Sequence, residues 1–374
     1  MFLLVVLSIW TLMHAYVFSR LWVTPGLSGP SAHRWLLAAA ILLWAAYPLA
    51  RYLEHLRWTA VSRPLEFVGA AWMGVLLLAL VAFLAVDVVT GFSFLAPRLA
   101  PPLRVAALAV TVALSLVGLV QGLRPPAVDD IEVPVGSLPA GRSSLTLVAV
   151  SDLHLGTLLG RRWLAAVVDR VDALRPDMVL VVGDLIDGNV ARVEPMLPEL
   201  RRLTAPLGTW AVTGNHEFYA GVERSVALFR EAGFGVLRDR WQEAAPGLII
   251  AGVDDLTARQ QFGLPDHAVE TALAGRPEGL TILLSHTPWS VETASSLGAD
   301  LMVSGHTHDG QIWPFGALVA LRYPFLSGRF TEGSMTLLVG RGTGTWGPRL
   351  RLWRRSEILR VTLRLRRPAP PPAV

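Results

Sequence analysis

Four uncharged runs follow one another in the first 124 residues, at 2–19, 35–50, 67–86 and 105–123. An α-helix rises about 1.5 Å per residue, so crossing a bilayer core takes about 20 apolar residues, with about 17 tolerated. The first, third and fourth runs qualify; the second carries Pro48 and is borderline. A buried helix of a soluble core would explain any one of them. Four in succession, joined by short basic connections, instead predict a membrane domain over residues 1–124 with about four transmembrane helices. The excess of apolar residues sits here: 52% of the 374 residues are hydrophobic, too many for a purely soluble chain. A cleaved signal peptide is not expected, because no basic stretch precedes the first run and no small-x-small site follows it. Four spans put both ends on one side. With that side inside, the inner flanks hold Arg51, Arg57, Arg63 and Arg124 and the outer ones Arg20, Arg34, Arg98 and Arg104, so the positive-inside rule favours neither orientation. The absence of cysteine excludes disulfides and iron–sulfur ligation.

From Pro125 the pattern changes. A Pro/Gly-containing, mixed-charge stretch reads as a linker over 125–143. Short β-branched runs then alternate with amphipathic helical segments: LTLVAV (145–150), a helix near 161–174, DMVLVVG (177–183), TWAVTG (209–214), GLIIAG (247–252), LTILLS (280–285), LMVSG (301–305), MTLLVG (335–340) and EILRVTL (357–363). This is an α/β pattern. The last strands have no helices between them, which favours a mixed or double sheet over a purely parallel one. The domain is expected over 144–364, with a Pro-rich tail at 365–374.

The chemistry lies at the strand ends. LTLVAV runs into Asp152 and His154; MVLVVG into Asp184, with Asp187 close behind; TWAVTG into Asn215, His216 and Glu217; LTILLS into His286; LMVSG into His306 and His308. Carboxyl ends of strands in α/β folds converge on one crevice, so five loops can bring these side chains together. Singly, each has a bland explanation: a strand-end Asp caps a helix or forms a turn, and a lone His is usually structural. Yet five of the nine histidines take the same kind of position; the others are His14, His33, His55 and His267. Imidazole, carboxylate and amide ligands without thiolate suit Mn, Fe or Zn, and there are too many for one ion. Two ions roughly 3.5–4 Å apart form the clamp used in phosphoryl transfer.

The blocks SDLHLG, GDLID, GNHE, SHTP and GHTHDGQ, in this order, resemble the calcineurin-like metallophosphoesterases, and within them the bacterial YkuE-like branch. The resemblance covers about residues 144–364. It implies a double β-sheet sandwich flanked by helices, an α/β/β/α arrangement. It also implies that Asp152, His154 and His308 bind one divalent metal and Asn215, His286 and His306 the other, with Asp184 bridging. A metal-bridging hydroxide would attack phosphorus, and His216 would protonate the leaving oxygen or stabilise charge on the phosphoryl group. Asp187 would orient a ligand or serve only as a turn residue, the former being favoured. Two positions depart from the branch: Asp309 stands where a glycine is usual, and would crowd the pocket, contact substrate or lie in a solvated turn, and Glu217 is a mild replacement of an aspartate.

The expected function is a membrane-anchored dimetal phosphohydrolase, acting on a phosphorylated small molecule or a lipid-linked substrate. It would be a multi-pass protein of a bacterial-type inner membrane with its catalytic domain in the cytoplasm. A non-catalytic scaffold is the alternative, but such relatives usually lose ligands and none is missing here. A transporter would need ionisable groups within the spans, where only His14 lies inside a run and Asp87 at an edge. GTGTWG (342–347) fits the dinucleotide fingerprint G-x-G-x-x-G, but Pro348 and arginines follow where a helix is required, so it reads as a glycine turn. Eight arginines between Arg349 and Arg367 suit either anionic lipid or a solvated strand. Nucleic acid is not an expected partner, and oligomeric state is not readable. The apolar loop 313–328 suits either an acyl chain or packing beneath the sheet, the latter being favoured.

Overall fold

The structure, a computed structural model, describes residues 2–56 and 58–366. Arg57 and the Pro-rich tail from residue 367 lie outside the described residues. The chain divides into two compact units, one of residues 1–123 with 347–353 and one of 124–346 with the chain from 354 on.

The first unit contains α1 (Phe2–Trp22), α2 (Pro30–His55), α3 (Thr59–Thr90) and α4 (Ala100–Leu123). All four are long and apolar enough to cross a membrane, and Pro48 does not interrupt α2. Val17, Leu21, Leu76, Ala79, Phe83 and Ala107 form the apolar contact between α1, α3 and α4. The ionisable groups here serve packing. Asp87 accepts hydrogen bonds from the Tyr16 hydroxyl and Arg20, both at 2.6 Å, and the ring nitrogens of His14 bond the Trp10 carbonyl and the Trp72 indole.

The second unit holds β1 (Ala127–Val135), β2 (Ser144–Val150), α5 (Arg161–Ala173), β3 (Met178–Val182), β4 (Thr209–Val212), β5 (Gly235–Val236), β6 (Arg240–Ala245), β7 (Leu248–Gly252), β8 (Leu280–Leu284), β9 (Leu301–Ser304), β10 (Gly328–Glu332), β11 (Met335–Val339) and β12 (Glu357–Leu365). They form two six-stranded sheets, ordered β1-β12-β2-β3-β4-β5 and β10-β11-β9-β8-β7-β6. Alternation within each strand explains the layering. Leu147 and Ala149, Leu180 and Val182, Ile250, Ile282 and Val303 fill the space between the sheets. Their neighbours Val148, Val179 and Val181 meet helices, including Leu164, Val167, Val168 and Val171 of α5, while Leu283 and Met302 meet helices on the outer face of the other sheet. The order is helix, sheet, sheet, helix.

The segment read as a linker is corrected: residues 127–135 form β1, an edge strand parallel to β12. Asp129, Asp130, Glu132 and Pro134 made it look unstructured, yet charges and proline are tolerated on an edge. For the site, the decisive feature is direction. β2, β3 and β4 are mutually parallel, as are β7, β8 and β9, so their carboxyl ends share one edge of each sheet.

Candidate metal centre

The loops leaving β2, β3, β8 and β9 bring together six of the seven side chains singled out as ligands, and the seventh, Asn215, follows β4 beside His216, whose amide donates to Asp184 Oδ1. Asp152, His154 and His308 form one group, Asp184, His286 and His306 another, and His154, Asp184 and His216 a third that overlaps both, each with its ligand atoms within 4.8 Å of one another. His308 Nε2 lies 3.3 Å from Asp152 Oδ1 and 3.1 Å from His154 Nε2. His286 Nε2 lies 3.2 Å from Asp184 Oδ2 and 3.3 Å from His306 Nδ1. Asp184 is also 3.8 Å from His154, so it stands between the groups. Asn215 Oδ1 is buried without a hydrogen-bond partner among the described residues. An orphaned acceptor among converging imidazoles and carboxylates costs folding free energy, and it fits a site for cations.

The backbone is arranged for this convergence. Asp152, His154, Asp184, His306 and His308 all have φ between 44° and 72°, a region that non-glycine residues rarely enter. Two motif glycines are required by close approach. A Cβ on Gly305 would lie 2.5 Å from Asp152 Oδ2, and one on Gly214 would lie 2.5 Å from the Asp184 amide. Glu217, fully buried, accepts from the amides of Asp184 (2.9 Å), Ile186 (3.0 Å) and Gly214 (2.6 Å), tying the β3 loop to the helix at Asn215–Ala220. The replacement is more than mild, because a glutamate at the third position of a helix is a capping signal.

Electrostatics separates the histidines. Burial, reinforced by neighbouring imidazoles, holds His154 down to about 4 and His306 down to about 3, leaving both neutral and able to ligate. Burial also works against a charge on His216, but Asp184 and the hydrogen bond that His216 donates to Asp187 outweigh it and push His216 up to about 9. His286 is likewise buried, and the carboxylates of Asp184, Asp152 and Asp255 carry it well above its usual range. Burial pushes Asp152 up to about 6, against the pull of His286.

Tyr323 Oη lies 2.8 Å from His306 Nε2. His306 Nδ1 is the nitrogen that faces His286, so a ligating His306 carries its proton on Nε2 and donates it to the Tyr323 hydroxyl. Nearby, Thr287 Oγ1 donates to the buried carboxylate of Asp255 at 2.5 Å and lies 3.0 Å from Thr257 Oγ1. Tyr323, Thr257, Thr287 and Asp255 were not found from sequence. Asp255 had a signal, since it follows β7 as the other polar residues follow their strands; Tyr323 had none.

Asp187 lies 3.1 Å from His216 Nδ1 and orients that ring. Asp309 is neither a solvated turn nor a pocket residue: it is buried and ion-paired with Arg354 (3.3 Å) and Arg341 (3.7 Å). Part of the arginine-rich segment is internally paired in the same way, Arg360 with Asp130 and Arg364 with Glu132. The GTGTWG stretch is a turn against the site, with the amides of Thr343 and Gly344 donating to the carbonyls of Ser151 and Asp152.

The family signature of the calcineurin-like phosphoesterases matches residues 145–310. The chain is 31% identical over 262 residues to the metallophosphoesterase YkuE of Bacillus subtilis, covering 66% of this chain and 89% of that one. It is 38% identical over 273 residues to a transmembrane protein with a metallophosphoesterase domain from Danio rerio, covering 70% of this chain; it spans only 62% of that relative's length. Among solved structures it resembles a dimetal phosphatase from Danio rerio at 15% identity, with a TM-score of 0.35 over 53% of this chain and 88% of that one.

Proposed function

The chain belongs to the calcineurin-like phosphoesterase family, and from that premise we propose that it is a membrane-anchored hydrolase that cleaves a phosphoester or pyrophosphate bond with two divalent cations. The convergence of seven ligand-type side chains from five strand ends carries the reading. Asp152, His154 and His308 would hold one cation, and Asn215, His286 and His306 the other, with Asp184 shared; the first two of the three groupings and the orphaned Asn215 oxygen support this division. A nitrogen and oxygen donor set without thiolate supports Mn, Fe or Zn. Bound there, the cations would polarise phosphoryl oxygens and bring the pKa of water towards neutrality.

His216 is the group we assign to the leaving oxygen. Asp187 holds its Nδ1, and its Nε2 has no hydrogen-bond partner among the described residues, so the second nitrogen is free to reach a substrate. Asp187 acts through His216 as a positioning residue. The four apolar helices support a phosphorylated substrate at the membrane surface, lipid-linked in our reading. Exposed arginines outside the ion pairs, such as Arg355, support a cytoplasmic domain at an inner membrane, and protease cleavage from the periplasmic side of sealed vesicles would overturn that placement.

The test uses full-length protein in detergent with added Mn²⁺ and a soluble aryl phosphodiester. Wild type should turn over and bind metal, whereas Asp184→Asn and His306→Ala should lose metal-dependent turnover. Wild-type rates in either variant would refute the site.

A further inference from the structure

Residues 313–321, WPFGALVAL, carry no charge, and among their side chains only the Trp313 indole can hydrogen-bond. The segment leaves the loop that contains His306 and His308 and returns to it at Leu326, whose carbonyl accepts from Thr307 Oγ1. Sequence favoured packing beneath the sheet. Instead Leu318 is 60% and Leu321 84% exposed, and Trp313 and Phe315 face solvent as well. Leu318 and Leu321 are three apart around the helix Gly316–Ala320 and share a face. The base of the segment is firm. Tyr323 stacks on Trp289 with ring centroids 5.6 Å apart, Arg322 lies 4.3 Å over the same ring, and the Tyr323 hydroxyl bonds His306.

Contiguous exposed apolar surface marks an interaction site, and the chain itself says with what. Only residues 124–126 separate the end of α4 at Leu123 from the start of β1 at Ala127. A tether of that length reaches about 15 Å at most, so the domain stays at the bilayer surface and a small patch meets lipid at high effective concentration. Tryptophan, tyrosine and arginine flanking aliphatic residues is the composition of a segment lying in a membrane interface.

We propose that residues 313–321 form a membrane-seated lip that lays Leu318 and Leu321 among acyl chains beside the metal centre, so that the site takes a phosphorylated amphiphile directly from the bilayer. The substrate half of this proposal rests on the hydrolase reading; the seating of the lip does not.

The chain has no cysteine, so Leu318→Cys, Leu321→Cys and, as a control, Glu231→Cys can each carry a single environment-sensitive fluorophore in the full-length protein in nanodiscs. Glu231 ends the helix that leads into β5, at the opposite end of the sheet from the metal loops. Nitroxide-labelled lipid should quench the labels at 318 and 321 severalfold more than the label at 231. Quenching by aqueous iodide alone would overturn the proposal, as would shielding from both quenchers, the outcome expected if a second copy of the chain covers the lip. In the second arm, the double variant Leu318→Asp/Leu321→Asp should lose at least tenfold in turnover of a long-chain phosphorylated amphiphile in the nanodisc while keeping hydrolysis of a soluble aryl phosphodiester. Equal rates for variant and wild type on the amphiphile would overturn the substrate half. If wild type hydrolyses neither substrate while the lipid quenching holds, the hydrolase reading falls and the lip stands.

Discussion

The hydrogen bond between His306 and the Tyr323 hydroxyl makes a quantitative prediction for Tyr323→Phe. The change removes one oxygen and leaves the ring stacked on Trp289, so it opens almost no cavity. What it deletes is the acceptor for the Nε2 proton of a largely buried imidazole. A buried donor left unpaired costs about 1–3 kcal/mol, which at about 1.4 kcal/mol per decade is roughly 5- to 150-fold in an equilibrium constant. Partners that orient metal-bound histidines are worth about 10- to 100-fold in metal affinity. We therefore expect the apparent Mn²⁺ dissociation constant to rise by about one to two decades, read by titrating hydrolysis of a soluble aryl phosphodiester at fixed pH. Turnover at saturating metal should fall much less, because the ligand atom itself is intact. Unchanged affinity in Tyr323→Phe would refute the assigned tautomer.

Three further outcomes follow from the site. Asp184, Asp152 and Asp255 keep His286 protonated in the metal-free protein at neutral pH, and a ligand must be neutral. Metal binding should therefore release close to one proton and tighten as pH rises; titration calorimetry in buffers of different ionisation enthalpy counts it, and zero release would contradict the charge assignment. Gly214→Ala places a methyl 2.5 Å from the Asp184 amide and against its carboxylate, so the purified variant should carry less metal per chain by elemental assay and turn over at least a hundredfold more slowly, by about 2.7 kcal/mol or more. Asp309→Asn keeps a residue that tolerates positive φ but removes the charge facing Arg354 and Arg341. Because both arginines are about one-third exposed, the cost should be roughly 1–3 kcal/mol, below that of a fully buried pair. It should appear as a lower urea midpoint with metal affinity unchanged.

The sequence exposed those features whose physical cause is local or periodic. Strands such as 178–182 and 280–284 are short apolar runs ended by polar residues, and α5 shows its buried face at helical spacing, so both stand out from a single chain. The strand-end rule then gathered Asp152, Asp184, Asn215, His286 and His306 without any knowledge of strand order. What stayed hidden depends on pairing across long separations. β1 has no helical or alternating signal strong enough to outweigh three acids and a proline, and becomes a strand because β12, more than 200 residues later, offers a parallel edge. Asp309 looked exposed because its partners lie 32 and 45 residues onward. Tyr323 meets His306 only through the path of the loop between them.

The positive φ angles tie these observations into one account. Five of the seven proposed ligands sit where a side chain is strained by about 1–3 kcal/mol each, and strain of that size persists only if the surroundings leave no alternative. Here the surroundings are identifiable. Each strained residue lies within four positions of the end of a strand whose last four residues are buried, which fixes where the loop begins. Backbone bonds then fix where it goes: Asp152 N to the Gly183 carbonyl, His154 N to the Asp184 carbonyl, and Gly305 N to the His286 carbonyl. The loops thus hold one another across strands, and Glu217 clamps a further one from below. A cation arriving at such a site does little to order it, so binding free energy that would otherwise go into folding loops remains available as affinity. Weakening the clamp rather than a ligand should therefore lower metal affinity while leaving the stoichiometry at two. In Glu217→Gln the amide nitrogen would face a backbone N–H, and that split between affinity and stoichiometry separates a preorganised centre from one the metals assemble.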